Sequence, residues 1–284
     1  MQDIDLKLIC PNSQIPVGTF VNDRFILNNN LLPNSSKFKS IKGVPNMRIN
    51  LEEDEKLDLT KESKSLPRQN SSQLNIPFLH EALGSDELVL ELGAGVEVCK
   101  HPKLIKTDAY LYSTDLHCLA DAHSLPFEDN TFGYVYSLAV FEHLHSPWIA
   151  AEEIYRVLKP GGKAFTLTAF MQHMHGYPHH YFNMTTSGLK RIFNSFEIVN
   201  CEPSRHSNIS EIAYIICDLK NVLNFHLKKN EGSGKELSGL NQAVEKFCEN
   251  VVLLNEPLMQ NLDNGNSEFS KIAPAIEITV KKPF

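Results

Sequence analysis

The chain has no cysteine pair at C-x-x-C spacing, no apolar run of about 18 residues and no surplus of positive charge. Each absence removes a class of protein. Its 6 cysteines (Cys10, Cys99, Cys118, Cys201, Cys217 and Cys248) are scattered, which reads as reduced thiols in a cytoplasmic protein rather than a disulfide framework. Without a long apolar run no membrane span is expected, and Met1-Gln2-Asp3-Ile4-Asp5 lacks the basic and apolar blocks of a secretory signal. Lys and Arg number 27 against 34 Asp and Glu, a net charge of −7, so the whole molecule does not attract a phosphate backbone and nucleic acid is not the expected partner. No internal repeat or coiled-coil stretch occurs.

What is present suits a globular protein. With 284 residues, 42% hydrophobic and 21% charged, the chain can bury the core of one domain of about 200 residues plus a small appendage. Residues 1–50 hold short apolar runs (Leu6–Cys10, Val17–Val21, Phe25–Leu27, Phe38–Pro45) between turn signals, the pattern of a small β-rich module. Residues 51–75 are charged and then Ser/Asn-rich, the composition of a linker. From 76 to 284 apolar strands alternate with helical patterns.

Strands are expected at 88–92, 103–107, 117–120, 133–138, 163–169, 196–202 and 275–281, and a helix over 76–84 leads into the first. The helix over 147–158 has Ser146 to cap it, Pro147 at its first position, and Ala151, Ile154, Val157 and Leu158 on one face. A second begins at Thr185. Two more are expected at 208–230 and 239–260, a helical cap inserted over 208–262.

The run Leu88-Val89-Leu90-Glu91-Leu92-Gly93-Ala94-Gly95 is a short apolar strand ending in a carboxylate and G-x-G, the form of a nucleotide-binding strand-to-turn junction. Two further blocks follow: Ala120-Asp121-Ala122-His123-Ser124-Leu125-Pro126-Phe127, and Phe141-Glu142-His143-Leu144-His145-Ser146-Pro147-Trp148 running on to Leu158-Lys159-Pro160-Gly161-Gly162. At these separations the three blocks resemble class I S-adenosylmethionine-dependent methyltransferases of the small-molecule type. The resemblance covers about 88–195 and the last strand.

It implies a Rossmann-like α/β fold: a seven-stranded, mostly parallel sheet with helices on both faces and the ligand at the carboxyl ends of the strands. It also implies roles. Gly93 and Gly95 let the backbone approach the cofactor's methionyl end, and Glu91 holds its ammonium. Asp108 binds the ribose hydroxyls, with Asp115 as rival; only ten residues, Gly93 to Pro102, are available for the first crossover, so its helix is one turn or none. Asp121 and the backbone of Ala122 receive adenine. The family's third glycine is Glu97 here, and its "F-D-x-V" Asp is Gly133. The two ends of the N-terminal module resemble a zinc ribbon that has lost its metal, since Cys10-Pro11-Asn12-Ser13 carries Ser at the second ligand position.

Methyl transfer to a hydroxyl or protonated amine also needs a base, and 6 of the 12 histidines lie in 143–180. His175 matches the family's loop histidine and is the first candidate, with His143 and His180 beside it. H-x-H and H-H spacings also chelate metals, but no carboxylate or cysteine lies within the loop 170–185. No metal ligand is therefore assigned; Glu142 joins such a site only through folding. The sequence thus points to a methyltransferase using S-adenosylmethionine on a small-molecule acceptor, such as a saccharide or secondary metabolite. The alternatives are a catalytically silent relative with a binding or regulatory role, and a nicotinamide dehydrogenase, which shares G-x-G and a ribose-binding acid.

Overall fold

The computed structural model describes residues 6–28, 38–48, 76–96, 99–172, 174–175, 179–204 and 275–284, with isolated positions 64, 239, 242, 243 and 246. The expected linker and helical cap lie almost wholly outside the described residues. No helix among the described residues is long and apolar enough to cross a membrane.

The N-terminal strands are β1 (Lys7–Ile9), β2 (Pro16–Val21) and β3 (Arg24–Leu27), an antiparallel meander, followed by the hairpin β4 (Lys39–Ile41) and β5 (Val44–Asn46). Asn22 and Asp23 turn the first hairpin, and Lys42 and Gly43 the second, all at positive φ, as two-residue turns of the primed type require. These strands are not a detached module. Leu8, Val17 and Phe25 are buried in the same cluster as Phe127, Phe132 and Val135 of the main domain, and the Ile9 amide donates to the Pro126 carbonyl at 3.0 Å. Cys10, expected as the remnant of a zinc ligand set, is a buried core side chain. β5 continues the main sheet.

That sheet is built from β6 (Val89–Leu92), β7 (Leu104–Asp108), β8 (Cys118–Leu119), β9 (Phe132–Leu138), β10 (Leu158–Ala169), β11 (Glu197–Pro203) and β12 (Ala275–Lys281), in the order β11-β12-β10-β9-β6-β7-β8-β5-β4. The seven expected strands are all present, and the hairpin raises the total to nine. β8 to β10 run parallel to one another through β7, β6 and β9, whereas β12 is antiparallel to both its neighbours.

Period-two alternation divides the core. Val89, Leu104 and Tyr136 face one cluster with Phe78, Leu79 and Ala82 of α1 (Pro77–Gly84). Leu90, Ile105 and Val135 face the other, with Ala150, Ala151, Ile154 and Val157 of α2 (Pro147–Val157), Leu189 of α3 (Thr186–Ile192), and the meander. The Thr185 side chain caps α3 by accepting from the Gly188 amide at 3.1 Å. Ser146 sits at the N-cap of α2 but makes no capping bond; its hydroxyl lies 2.9 Å from His145 Nδ1 instead. Gly133, noted as a departure from the family's Asp, is sterically required: a Cβ there would meet Glu87 Cβ at 2.4 Å.

Because the meander and β9 share one core, Phe25→Ala should lower the stability of the whole domain by about 3–5 kcal/mol. Urea unfolding should stay a single transition, moved to lower denaturant. A separate early transition, with the main one unmoved, would contradict the shared core.

Candidate functional site

Parallel strands deliver their carboxyl ends to one edge, so the loops after β6, β7, β8, β9 and β10 meet there. At the first of these, Gly93 and Gly95 take φ of 69° and 54°. A Cβ on Gly93 would lie 2.4 Å from Val140 Cγ2, so the bend after β6 presses on the loop after β9. Among the described residues no atom lies within 4 Å of the corresponding point at Gly95, so its backbone faces open space there.

Asp108 ends β7 and locks this bend. Its Oδ2 accepts from the Gly95 amide and its Oδ1 from the Tyr110 amide, each at 2.8 Å. Burial pushes the carboxyl up to about 6, against hydrogen bonds from Tyr110, Gly95 and Ala109 and the nearby Arg48 charge, all of which pull it down. Arg48 comes from the N-terminal region, 61 residues away, where it donates to the Ala109 carbonyl at 2.7 Å and to Asn46 Oδ1 at 2.8 Å. Asp115 lies in the loop beyond, its amide held by Ser113 Oγ at 3.1 Å. Of the two rivals, Asp108 is the one in contact with the glycine bend.

Glu91 is buried in β6, and its register partner on β7 is the equally buried Lys106. Neighbours in parallel register project to the same face of the sheet.

Asp121 follows β8, whose end is tied to β7 by the Ala120 amide donating to the Asp108 carbonyl at 2.9 Å. Both acids thus stand on one edge. Asp121 Oδ1 accepts from the His123 amide at 2.9 Å and lies 2.6 Å from His123 Nδ1. Burial acts to raise this carboxyl, but the His123 hydrogen bonds outweigh it and hold it below the ordinary value. A carboxylate only accepts, so Nδ1 carries the proton and Nε2 is left to accept from the Ser146 amide at 3.3 Å. The His123 ring also stacks on His145, centroids 4.1 Å apart. Neither histidine was singled out from sequence. The Asx turn in Asp121-Ala122-His123 was the available signal. The loop is clamped to α2 by Arg156, which donates to the Leu125 and Phe127 carbonyls at 2.9 and 2.6 Å.

The third group surrounds the 3-10 turn Phe141–His143 that follows β9. Glu142 is fully buried; its Oε2 accepts from Thr168 Oγ1 of β10 at 2.9 Å, while Oε1 accepts no hydrogen bond. The chain returning after β10 is pinned over this turn, with the Tyr181 and Phe182 amides donating to the Glu142 carbonyl at 2.8 and 3.2 Å. His143 Nδ1 lies 2.7 Å from the His179 carbonyl, and since a carbonyl only accepts, this nitrogen is the donor. His175 Nε2 lies 3.9 Å from Glu142 Oε1. His180 spends both nitrogens: Nδ1 accepts from the His175 amide at 3.2 Å, and Nε2 faces the Phe182 carbonyl and Asn183 Oδ1, each at 3.1 Å. His143, His175 and His180, the three base candidates, have centroids within 5.7 Å of one another. His173 and residues 176–178 lie outside the described residues.

Residues 90–166, from the glycine bend through the start of β10, match a family model described as a methyltransferase domain. Over this stretch the chain is similar to methyltransferase domains. Over 104 residues it is 31% identical to the demethylmenaquinone methyltransferase of Oceanobacillus iheyensis, covering 37% of this chain and 43% of that one. Over 42 residues it is 52% identical to the sterol 24-C-methyltransferase of Schizosaccharomyces pombe, covering 15% of this chain and 11% of that one. The chain thus spans less than half the length of either relative. The solved structure of phosphoethanolamine N-methyltransferase 2 from Haemonchus contortus aligns with a TM-score of 0.39 at 15% identity, over 73% of this chain and 52% of that one.

Within the matched stretch, Asp108 gives a pH signature. Folded, its carboxyl titrates at about 6 rather than at the ordinary 3.8, so between these values the folded state holds a proton the unfolded state has lost. Stability from this group therefore falls as pH rises through that window, by about 3 kcal/mol in total. Urea stability of the wild type relative to Asp108→Asn should become less favourable by that amount between about pH 4 and about pH 7. A difference that does not change with pH would contradict the assignment.

Proposed function

We propose that this protein is an S-adenosylmethionine-dependent methyltransferase that methylates a hydroxyl or amine of a small-molecule acceptor. The observation that carries the reading is the Asp108 lock on an open glycine bend, on the sheet edge that also bears the histidine cluster. The methyltransferase model covers this stretch. The sterol and demethylmenaquinone names of the relatives are of methyltransferases with small-molecule acceptors, which supports the acceptor class.

The residues present fit the cofactor. The Asp108 carboxylate accepts from the Gly95 and Tyr110 amides and keeps a lone pair for a ribose hydroxyl, and the space beside Gly95 admits a close ligand. Asp121 would accept the adenine amino group, with the Ala122 backbone beside it. Glu91, buried in β6, would face the ammonium. S-adenosylmethionine, when bound, supplies the methyl group as an activated sulfonium.

The protein's own part is then positioning and proton removal. As the acceptor oxygen or nitrogen bonds to the methyl carbon, the carbon–sulfur bond breaks and the acceptor's proton must leave. His175, whose Nε2 lies 3.9 Å from Glu142 Oε1, would take it. His143 is oriented by the His179 carbonyl and lines the same space, whereas His180 has no nitrogen to spare. Acceptor identity rests with whatever closes this edge.

The test is transfer of labelled methyl from S-adenosylmethionine into a metabolite extract, with calorimetric binding of S-adenosylhomocysteine measured alongside. Labelled small-molecule product is the expected outcome; cofactor binding with no product across broad extracts would instead make the protein a silent relative. His175→Ala should cut turnover by roughly 10²–10⁴-fold while cofactor affinity stays unchanged. Undiminished turnover removes His175 from this role.

A further inference from the structure

We infer that Glu142, His143 and His175 form a binding site for a single divalent first-row transition ion, Zn²⁺ by its ligand set, at which an acceptor hydroxyl is bound. Among the described residues they are the one group of three or more His, Cys, Asp or Glu side chains whose ligand atoms converge, all within 4.8 Å of one another. Two of the donors are adjacent in sequence, and β10 carries the chain back to supply the third.

Each donor is prepared. Glu142 Oε1 has almost no solvent exposure and accepts no hydrogen bond, while Oε2 is fixed by Thr168. A buried carboxylate oxygen without a donor has lost its hydration uncompensated, a cost that a coordinated cation removes. His143 donates from Nδ1 to the His179 carbonyl, which sets the tautomer and leaves Nε2 with its lone pair, the usual outer-sphere arrangement of a metal-bound imidazole. His175 Nε2 already faces Glu142 Oε1, but at 3.9 Å, too long for a hydrogen bond.

With bonds of about 2.0–2.2 Å, tetrahedral ligands stand about 3.4 Å apart, so the site closes by about 1 Å on loading. His175 lies beyond the end of β10, on the chain that folds back over the turn, and can make that movement. Two imidazoles and one carboxylate exclude the all-oxygen preference of Mg²⁺ and Ca²⁺ and leave coordination positions open.

An open position beside the methyl-transfer edge would take a hydroxyl. With the ion bound, His175 is a ligand and takes no proton: coordination lowers the hydroxyl's pKa and its proton passes to solvent, and the oxygen then bonds to the methyl carbon as the carbon–sulfur bond breaks. This use of the ion rests on the methyltransferase reading. The ion's binding does not.

The experiment is titration of the untagged, metal-stripped full chain with Co²⁺, read by its visible absorption and by Zn²⁺ competition. One equivalent should bind, displaced by Zn²⁺, and Glu142→Gln and His143→Ala should each weaken binding by at least about 100-fold. His145→Ala, outside the cluster, should bind as the wild type does. Calorimetry with S-adenosylhomocysteine on the same variants reports whether the fold and the cofactor site persist. Cofactor binding with no Co²⁺ uptake, or uptake undiminished in Glu142→Gln, overturns the metal site and leaves the methyltransferase reading standing. Co²⁺ uptake lost in Glu142→Gln but no cofactor binding in any form supports the metal site and overturns that reading instead.

Discussion

Two backbone amides meet one carboxylate where β6 and β7 end. Asp108 takes the Gly95 amide on one oxygen and the Tyr110 amide on the other, so a single side chain fixes the bend after one strand and the exit of the next. Much else follows from that lock. Gly93 is driven against Val140, which places the loop after β9, and Glu142 and His143 follow two and three residues later. The lock requires burial of a carboxyl group, and burial raises its proton affinity.

The N-terminal strands contribute to the same construction. Arg48 ties the exit of β7 through the Ala109 carbonyl, and β5 runs alongside β8. The meander also covers part of the α2 and α3 face of the sheet, where Phe25 and Phe127 approach to 6.3 Å between centroids. Among the described residues the connections β6–β7, β7–β8 and β8–β9 contain no helix, and apolar cover on this face comes from β1 to β3 instead. An N-terminal segment that looks like an appendage in composition is structural support for the edge that bears the candidate site.

Much of this was readable from sequence. Apolar runs of four to seven residues announced the seven strands β6 to β12, because period and length are local properties. The short first crossover followed from counting the residues between Gly93 and Pro102. Fusion of the N-terminal strands was not readable, since pairing of β5 with β8 involves one residue pair, Asn46 with Leu119, far apart in the chain. At the site, Asp108 could be preferred over Asp115 by spacing, but the register of Glu91 with Lys106 needed the fold. The histidine run was visible as composition. Its carboxylate was not, because Glu142 reaches His175 only when β9 and β10 lie side by side.

The central claim is that the glycine bend held by Asp108 is where the nucleoside cofactor rests. Backbone NMR of the isotope-labelled chain, titrated with S-adenosylhomocysteine and separately with NAD, addresses it directly. The account predicts that the amides of Gly93, Gly95, Asp108 and Ala122 shift with S-adenosylhomocysteine and stay still with NAD. Saturable binding of S-adenosylhomocysteine that moves none of these four amides would contradict it.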